Sequence, residues 1–275
     1  MKPTVSIVTI SYNAAREIEA TIRSVLCQTF SDLEYIFVDG KSKDDTLSII
    51  SNYEAQLVSR GIACQVVSEP DRGIYDAMNK GIRLARGQWV LMLNAGDVLA
   101  HERVLENFFG AQTYSADIVY GDVIYKDKSK GKTYYKRSAP QPLENIRKGM
   151  VFCHQCVFVR GEVLKAYGFD TQYKLVADYD SFVRAYLDNI PFQYVDKVVA
   201  IYDCTGASTE SLGVALAETA EVKKRAGFEA SANSMSGRIF RYRHLLRRFI
   251  QRNFPSVAYA KKRGWQDQPP IDRSK

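Results

Sequence analysis

Short apolar runs and amphipathic stretches alternate through residues 1–100. Val5 to Ile10 is a compact run of β-forming residues. From Ala14 to Cys27, the apolar residues Ile18, Ile22, Val25 and Leu26 recur at helical spacing. Tyr35 to Val38 is a second apolar run, and Asp44-Asp45-Thr46 opens a helix that continues through Ile49 and Ile50. Cys64 to Val67 is a third, short run. Ile74 to Leu84 carries Ile74, Met78 and Ile82 on one helical face, Gly87 stops it, and Trp89 to Leu93 is a fourth run. Strands that alternate with helices of this length predict an α/β fold: a mostly parallel sheet with helices on both faces.

Beyond residue 115 the alternation loosens. Ile118 to Tyr120 and Val123 to Tyr125 read as strand, and Thr133 to Tyr135 can return from a charged turn as a hairpin. Val151 to Val159 reads as another strand, Ala177 to Leu187 as a helix, Phe192 to Tyr202 as extended chain and Leu212 to Lys224 as a helix. Ala230 to Gly237 is small and polar, a linker composition. The expected organisation is a domain over 1–229, split into a first half (1–114) and a second half (115–229). A linker over 230–237 and a tail over 238–275 follow.

Charge separates the tail from the rest. The chain carries a net +7, yet residues from Arg238 onward carry eleven Lys and Arg against two Asp, a net of +9, which leaves −2 on residues 1–237. A basic tail on a nearly neutral body argues against nucleic acid as the partner and for local attachment. Arg238 to Phe254 holds six arginines and no acid, with Ile239, Tyr242, Leu246 and Phe249 at helical spacing. That is the pattern of an amphipathic helix that lies on an anionic membrane surface. The competing reading packs this apolar face onto the body. No apolar run approaches the roughly 18 residues needed to span a bilayer, and the first run is too short for a signal peptide. The expected location is therefore the cytoplasm, at the inner face of the cell membrane.

Five cysteines, scattered and odd in number, do not make a disulfide framework. Cys153-His154-Gln155-Cys156 has CxxC spacing, but no second pair completes a zinc site, and the surrounding residues predict strand.

Ligands bind such sheets at the carboxyl ends of the strands. Polar and turn-forming residues stand at each of those ends. Ser11-Tyr12-Asn13 follows the first run, and Asp39-Gly40-Lys41-Ser42 the second. Glu69-Pro70-Asp71-Arg72-Gly73 follows the third, and Asn94-Ala95-Gly96-Asp97 the fourth. Arg72 is a forked, permanently charged donor suited to a diphosphate. Asp97 is a hard oxygen ligand suited to Mg²⁺ or Mn²⁺; alternatively it caps a helix over Val98 to Phe108. Asp178 and Asp180 open the helix at Ala177, where a carboxylate can act as general base or merely favour the helix N-terminus.

In order and spacing these stretches resemble the family 2 glycosyltransferases, which have the GT-A (Rossmann-like) fold. The likeness runs over roughly residues 4–205. The block Glu69 to Gly81 is similar to the subgroup of bacterial polysaccharide gene clusters, the colanic acid type transferases. The resemblance implies an inverting transfer of sugar from a nucleotide-diphosphate donor, with UDP as carrier, to an acceptor hydroxyl on a lipid-linked glycan or oligosaccharide. It implies that Thr9 and Tyr12 border the base and that Asp39 accepts from its edge. Asn13, Ser42, Arg72, Gly73, Asn79 and Asn94 complete the nucleotide-sugar site. Asp97 holds the metal, and Asp178, with Asp180 second, is the base. His154 and Gln155 border the acceptor or the phosphate. The first acidic position of the family's DxD-like metal motif is taken here by Asn94 or Gly96, depending on alignment, which leaves Asp97 as its one carboxylate, and Ala177 replaces a glutamate. Two alternatives remain. A nucleotidyltransferase would need a glycine-rich basic loop where Ser11 to Ala14 stands. A catalytically silent homologue would bind nucleotide or scaffold a membrane complex without hydrolysing a donor. A dehydrogenase is disfavoured because no GxGxxG follows an early strand.

Overall fold

The computed structural model describes residues 2–129, 132–203 and 212–228, with residues 266, 268 and 269. The residues of the proposed tail helix, 238–254, and of the linker, 230–237, lie outside the described residues.

Strands β1 (Val5–Ser11), β2 (Leu33–Asp39), β3 (Ala63–Ser68) and β4 (Trp89–Met92) form the parallel half of a nine-stranded sheet. Val5 pairs with Leu33 on one side and with Trp89 on the other. Crossover helices join them: α1 (Ile18–Leu26), α2 (Thr46–Ser59) and α3 (Ile74–Leu84). Side chains on these strands alternate between two cores. Val8, Ile10, Ile36, Val38, Val90 and Met92 face a core with Met78 and Ile82 of α3. Val5, Ile7, Tyr35, Phe37, Trp89 and Leu91 face a second core with Ile18 and Ile22 of α1 and Ile50 of α2. Burial on both faces is why β1, β2 and β4 read as unbroken apolar runs rather than alternating ones.

The second half departs from the parallel pattern. Its elements are β5 (Val98–Leu99), α4 (Val104–Phe109), β6 (Ile118–Ser129), β7 (Lys132–Ser138), β8 (Val157–Arg160), α5 (Gly161–Tyr167), α6 (Ala177–Leu187), β9 (Phe192–Asp203) and α7 (Leu212–Arg225). The sheet order is β3-β2-β1-β4-β8-β6-β9-β5, with β7 added to β6. β8 runs antiparallel to both β4 and β6, whereas β9 runs parallel to β6. The sheet as a whole is mixed, and its order turns from β3-β2-β1 to β4-β8 at the centre. Two local expectations fail. Val98 and Leu99 form a strand against β9, and the helix begins only at Val104, so Asp97 caps no helix. His154 to Cys156 is a 3₁₀ turn ahead of β8, not part of that strand.

Candidate active site

Two clusters of polar side chains stand on the carboxyl edge of the sheet. The first gathers the ends of β1, β2 and β3 around Asp39. Its buried carboxylate accepts hydrogen bonds from Ser11 Oγ (3.1 Å), from the Ser42 amide (2.8 Å) and hydroxyl, and from Ser68 Oγ (2.8 Å). The turn after β1 is clipped to the turn after β2. Asn13 N–H donates to Ser42 Oγ at 2.8 Å, and Asn13 Oδ1 accepts from Lys43 N–H at 2.9 Å. Above this floor the Tyr12 ring is 64% exposed. Gly40 leaves room for these side chains: a Cβ there would lie 2.9 Å from Asp71 Oδ2 and 3.2 Å from the Tyr12 ring.

The loop from Glu69 to Gly73 is fastened from below. Lys80 Nζ lies 2.6 Å from Asp71 Oδ1, 2.9 Å from Glu69 Oε1 and 2.8 Å from the Pro70 carbonyl. Arg72 is left pointing outward, with its side chain 85% exposed and only a 3.4 Å contact to Asp76. An exposed, weakly held guanidinium over a fixed loop can swing to an anion at little cost.

The second cluster lies beyond β4. The turn Asn94–Asp97 closes with Asp97 N–H donating to the Asn94 carbonyl at 3.0 Å. Gly96 has φ +100°, a conformation that L side chains rarely adopt. The backbone therefore explains why no acid stands there. Asp97 is 5% exposed. It accepts from Gln155 Nε2 at 2.9 Å and from the Asp203 amide at 3.3 Å. Burial pushes its pKa up to about 6, against the pull of Gln155 and His154.

Asp178, on the first turn of α6, is reached from His154, the residue before Gln155 on the 3₁₀ turn. His154 Nδ1 donates to Asp178 Oδ2 at 3.0 Å. The Tyr75 hydroxyl (3.1 Å) and the Tyr179 amide (2.9 Å) donate to Oδ1. Burial would raise Asp178, but His154, the Tyr179 amide and Tyr75 outweigh it and leave the carboxyl below its ordinary value. The partner shift agrees: burial would lower His154, and Asp178 overrides it and holds the imidazole up. Asn94 Nδ2 lies 3.4 Å from His154 Nε2, while Asn94 Oδ1 is buried without a hydrogen-bond partner.

One short turn thus ties the cluster together: His154 reaches Asp178, and Gln155 reaches Asp97. Asp39 makes no contact with that group. It closes β2, which is two strands from β4 in the sheet order. The gap is spanned by Ala95 N–H donating to the Ile10 carbonyl at 3.2 Å.

Three residues expected in the site lie elsewhere. Thr9 is fully buried inside the sheet, its hydroxyl donating to the Leu93 carbonyl at 2.7 Å, so it has no face for a base. Asn79 spends both ends of its amide on the Phe169 backbone, at 2.7 and 2.9 Å, and clips α3 to the chain after α5. Asp180 pairs with Arg184 Nε at 2.8 Å and lines a cavity of about 500 Å³ behind α6, together with Asn79 and Arg225. Two residues on α3 were missed: Tyr75, which holds Asp178, and Lys80, which holds the Asp71 loop. Lys80 stands four residues after Asp76, the spacing of a helical ion pair, which is a legible signal. Tyr75 carried none, because its partner is distant along the chain.

Among the described residues, no three His, Cys, Asp or Glu side chains converge as a metal cage. The oxygens of Asn94 and Asp97 nevertheless suit a hard divalent cation. One is a buried acceptor without a partner, and a diphosphate can complete the shell. Nor is any helix among the described residues long and apolar enough to cross a membrane.

A model of the family described as "Glycosyl transferase family 2" matches residues 6–169. A PGL/p-HBAD biosynthesis glycosyltransferase of Mycobacterium bovis is 31% identical over 214 residues, covering 76% of this chain and 80% of the relative. Chondroitin synthase of Escherichia coli is 28% identical over 207 residues, 71% of this chain but only 28% of that protein. Among solved structures, TarS 1-349 of S. aureus in complex with UDP-GlcNAc superposes with a TM-score of 0.59 at 20% identity, over 76% of this chain and 61% of that one. The mannosyltransferase PcManGT of Pyrobaculum calidifontis, in complex with GDP-Man and Mn²⁺, gives 0.61 at 18% identity, over 84% and 66%. At these identities the structural likeness establishes the GT-A fold alone.

Proposed function

The chain belongs to glycosyl transferase family 2 and is a glycosyltransferase, and from that premise we propose that it moves a sugar from a UDP-linked donor to an acceptor hydroxyl with inversion at the anomeric carbon. The observation that carries this reading is the clasp of Asp178 and Asp97 by adjacent residues of one turn, at 3.0 and 2.9 Å. A transferase must take a proton from the acceptor and stabilise charge on the leaving diphosphate close by. A part-buried carboxylate and a buried one, with pKa values pushed in opposite directions and held by His154 and Gln155, suit those two tasks.

In this proposal the base stacks on Tyr12 and its edge N–H displaces one of the serine hydroxyls on Asp39. Asn13, Ser42 and Gly73 shape the floor, and Arg72 swings onto the diphosphate. Asn94 and Asp97 would hold Mg²⁺ or Mn²⁺, which as a Lewis acid offsets the charge of the departing nucleotide. His154 keeps Asp178 ionised and oriented, and Tyr75 fixes its other oxygen. Asp178 then accepts the acceptor's proton as the hydroxyl attacks the face opposite the leaving group, and this single displacement inverts the configuration. Residues 1–114 bind the donor and 115–229 the acceptor.

The acceptor class is a lipid-linked glycan or oligosaccharide of a bacterial surface polysaccharide. Support comes from the six-arginine amphipathic pattern of 238–254, a membrane-surface signature, and from the relatedness to a protein named for PGL/p-HBAD biosynthesis. Thermal shifts with a panel of UDP- and GDP-sugars, with and without Mn²⁺, test the donor. Stabilisation by UDP-sugars that grows with Mn²⁺ is the expected result; no shift with any member of the panel refutes the reading. Removal of 238–275 should release the protein from vesicles containing anionic lipid.

A further inference from the structure

The CxxC pair brackets the turn that organises the site. Cys153 precedes the 3₁₀ turn, Cys156 ends it, and Cys156 N–H donates to the Cys153 carbonyl at 2.9 Å. Residues three apart in such a turn eclipse one another. A turn closed in this way keeps its end Cα atoms within about 7 Å, against the 4.4–6.8 Å a disulfide spans. Both thiols are free. Cys156 is fully buried. Cys153 is half-buried and lines a cavity of about 130 Å³ beside Gly121, Val123, Met150 and Phe152.

The Cys153 thiol belongs to the same relay as the carboxylate. Cys153 S–H donates to Gln155 Oε1 at 2.8 Å. Gln155 Nε2–H then donates to Asp97 at 2.9 Å. The orientation of the Gln155 amide therefore depends on a hydrogen that exists only while Cys153 is reduced.

We propose that Cys153 and Cys156 are a dithiol–disulfide site, oxidised by low-molecular-weight disulfides, whose closure frees Gln155 and loosens Asp97. The Cys153 thiolate attacks one sulfur of the external disulfide, forms a mixed disulfide and expels one thiolate. The Cys156 sulfur, giving up its proton, then attacks the Cys153 sulfur and expels the second. Two protein S–H groups are oxidised, one external disulfide is reduced to two thiols, and the two protons leave with them. The covalent step rests on the geometry alone. Its effect on ligand binding also rests on the proposed role of Asp97.

The test uses the full chain and oxidised glutathione. Trypsin releases residues 149–160 as one peptide containing both cysteines. After oxidation and alkylation of the remaining thiols, that peptide should carry no alkyl group and be about 2 Da lighter than its dithiol form, reversibly with dithiothreitol. Cys156→Ala and Cys156→Ser should instead accumulate a glutathione adduct on Cys153. UDP affinity should fall by about tenfold on oxidation, the scale of losing a partner that orients a ligand-binding carboxylate, and recover on reduction. A doubly alkylated peptide after exposure to the oxidant overturns the site. A bridged peptide with unchanged UDP affinity overturns its coupling to Asp97. If the reduced protein binds no nucleotide at all, the transferase reading fails while the mass result still decides the disulfide.

Discussion

The two edges of the central sheet treat buried carboxylates in opposite ways. At the amino edge, Glu34 opens β2 with only 3% exposure. Its Oε1 accepts from Ser6 Oγ (2.6 Å), Arg86 N–H (2.6 Å) and Gly87 N–H (3.1 Å), and its Oε2 from the Arg86 guanidinium (2.9 Å). Burial would raise Glu34, yet these donors outweigh it and the pKa is lowered. At the carboxyl edge, Asp97 is as little exposed but sits deeper and has one good donor, Gln155, and one long one, and burial wins. Deeper burial with poorer satisfaction separates a carboxylate left ready for a partner the chain does not supply from one that fastens strands. Asp178 lies between the two: well satisfied, but by an imidazole and a phenol that also belong to the site.

The largest effect tests the middle case. Asp178→Asn should lower transfer by about 10²–10⁴-fold, the span of a lost general base, while UDP affinity stays within about twofold. Asp180→Asn, two residues on, should leave transfer nearly unchanged. It should instead cost about 1–3 kcal/mol of stability, because Arg184 loses its buried partner. Initial rates and thermal melts of the two variants separate a base from a helix-terminal charge. Full activity in Asp178→Asn would move proton abstraction to another residue.

Asp97→Ala comes next. If the under-satisfied edge is where the donor's diphosphate and its cation sit, UDP-sugar affinity in Mn²⁺ should fall about 10- to 100-fold, and transfer with it. The fold should hold, since the carboxylate is weakly supported even when present. Calorimetric titration in Mn²⁺ and in chelator reads this directly. Equal affinities in the two conditions, for the native chain and the variant alike, would remove the cation from the proposal.

The contrast also marks what could be read without coordinates. The parallel half was legible because β1, β2 and β4 are buried on both faces, and their apolar runs are bounded by turn residues. Asp39, Asp97 and Asp178 could be proposed from the sequence because each follows a strand or opens a helix, which is local information. Thr9 was misplaced because a strand hydroxyl near a site looks the same whether it faces the cleft or, as here, the Leu93 carbonyl. Asn79 and Asp180 lie within or beside motif segments, and only their partners, Phe169 and Arg184, show which face they take. The 3₁₀ turn at His154 was hidden inside an apolar stretch, because three residues carry too little periodicity to announce a turn. The mixed second half rests on antiparallel pairings of β8 with β4 and β6, and long-range register leaves little trace in composition.

The smallest effect concerns the fastened edge. Glu34→Gln keeps the shape but removes the charge that Ser6, Arg86 and Gly87 converge upon. At neutral pH the variant should lose about 1–3 kcal/mol, the usual range for a buried charged hydrogen bond, or roughly 2–10 °C in melting temperature for a domain of this size. The sign of the pH dependence follows from the lowered pKa. The folded chain holds Glu34 ionised below the pH at which the unfolded chain protonates it. Its stabilisation is therefore complete above the ordinary glutamate value of 4.5 and drains away as pH falls through the lower folded value. Native and variant melting curves should thus converge on acidification, with UDP affinity at neutral pH unchanged. A gap that widens toward acid would mean that Glu34 is strained rather than satisfied, and the distinction between the two edges would collapse.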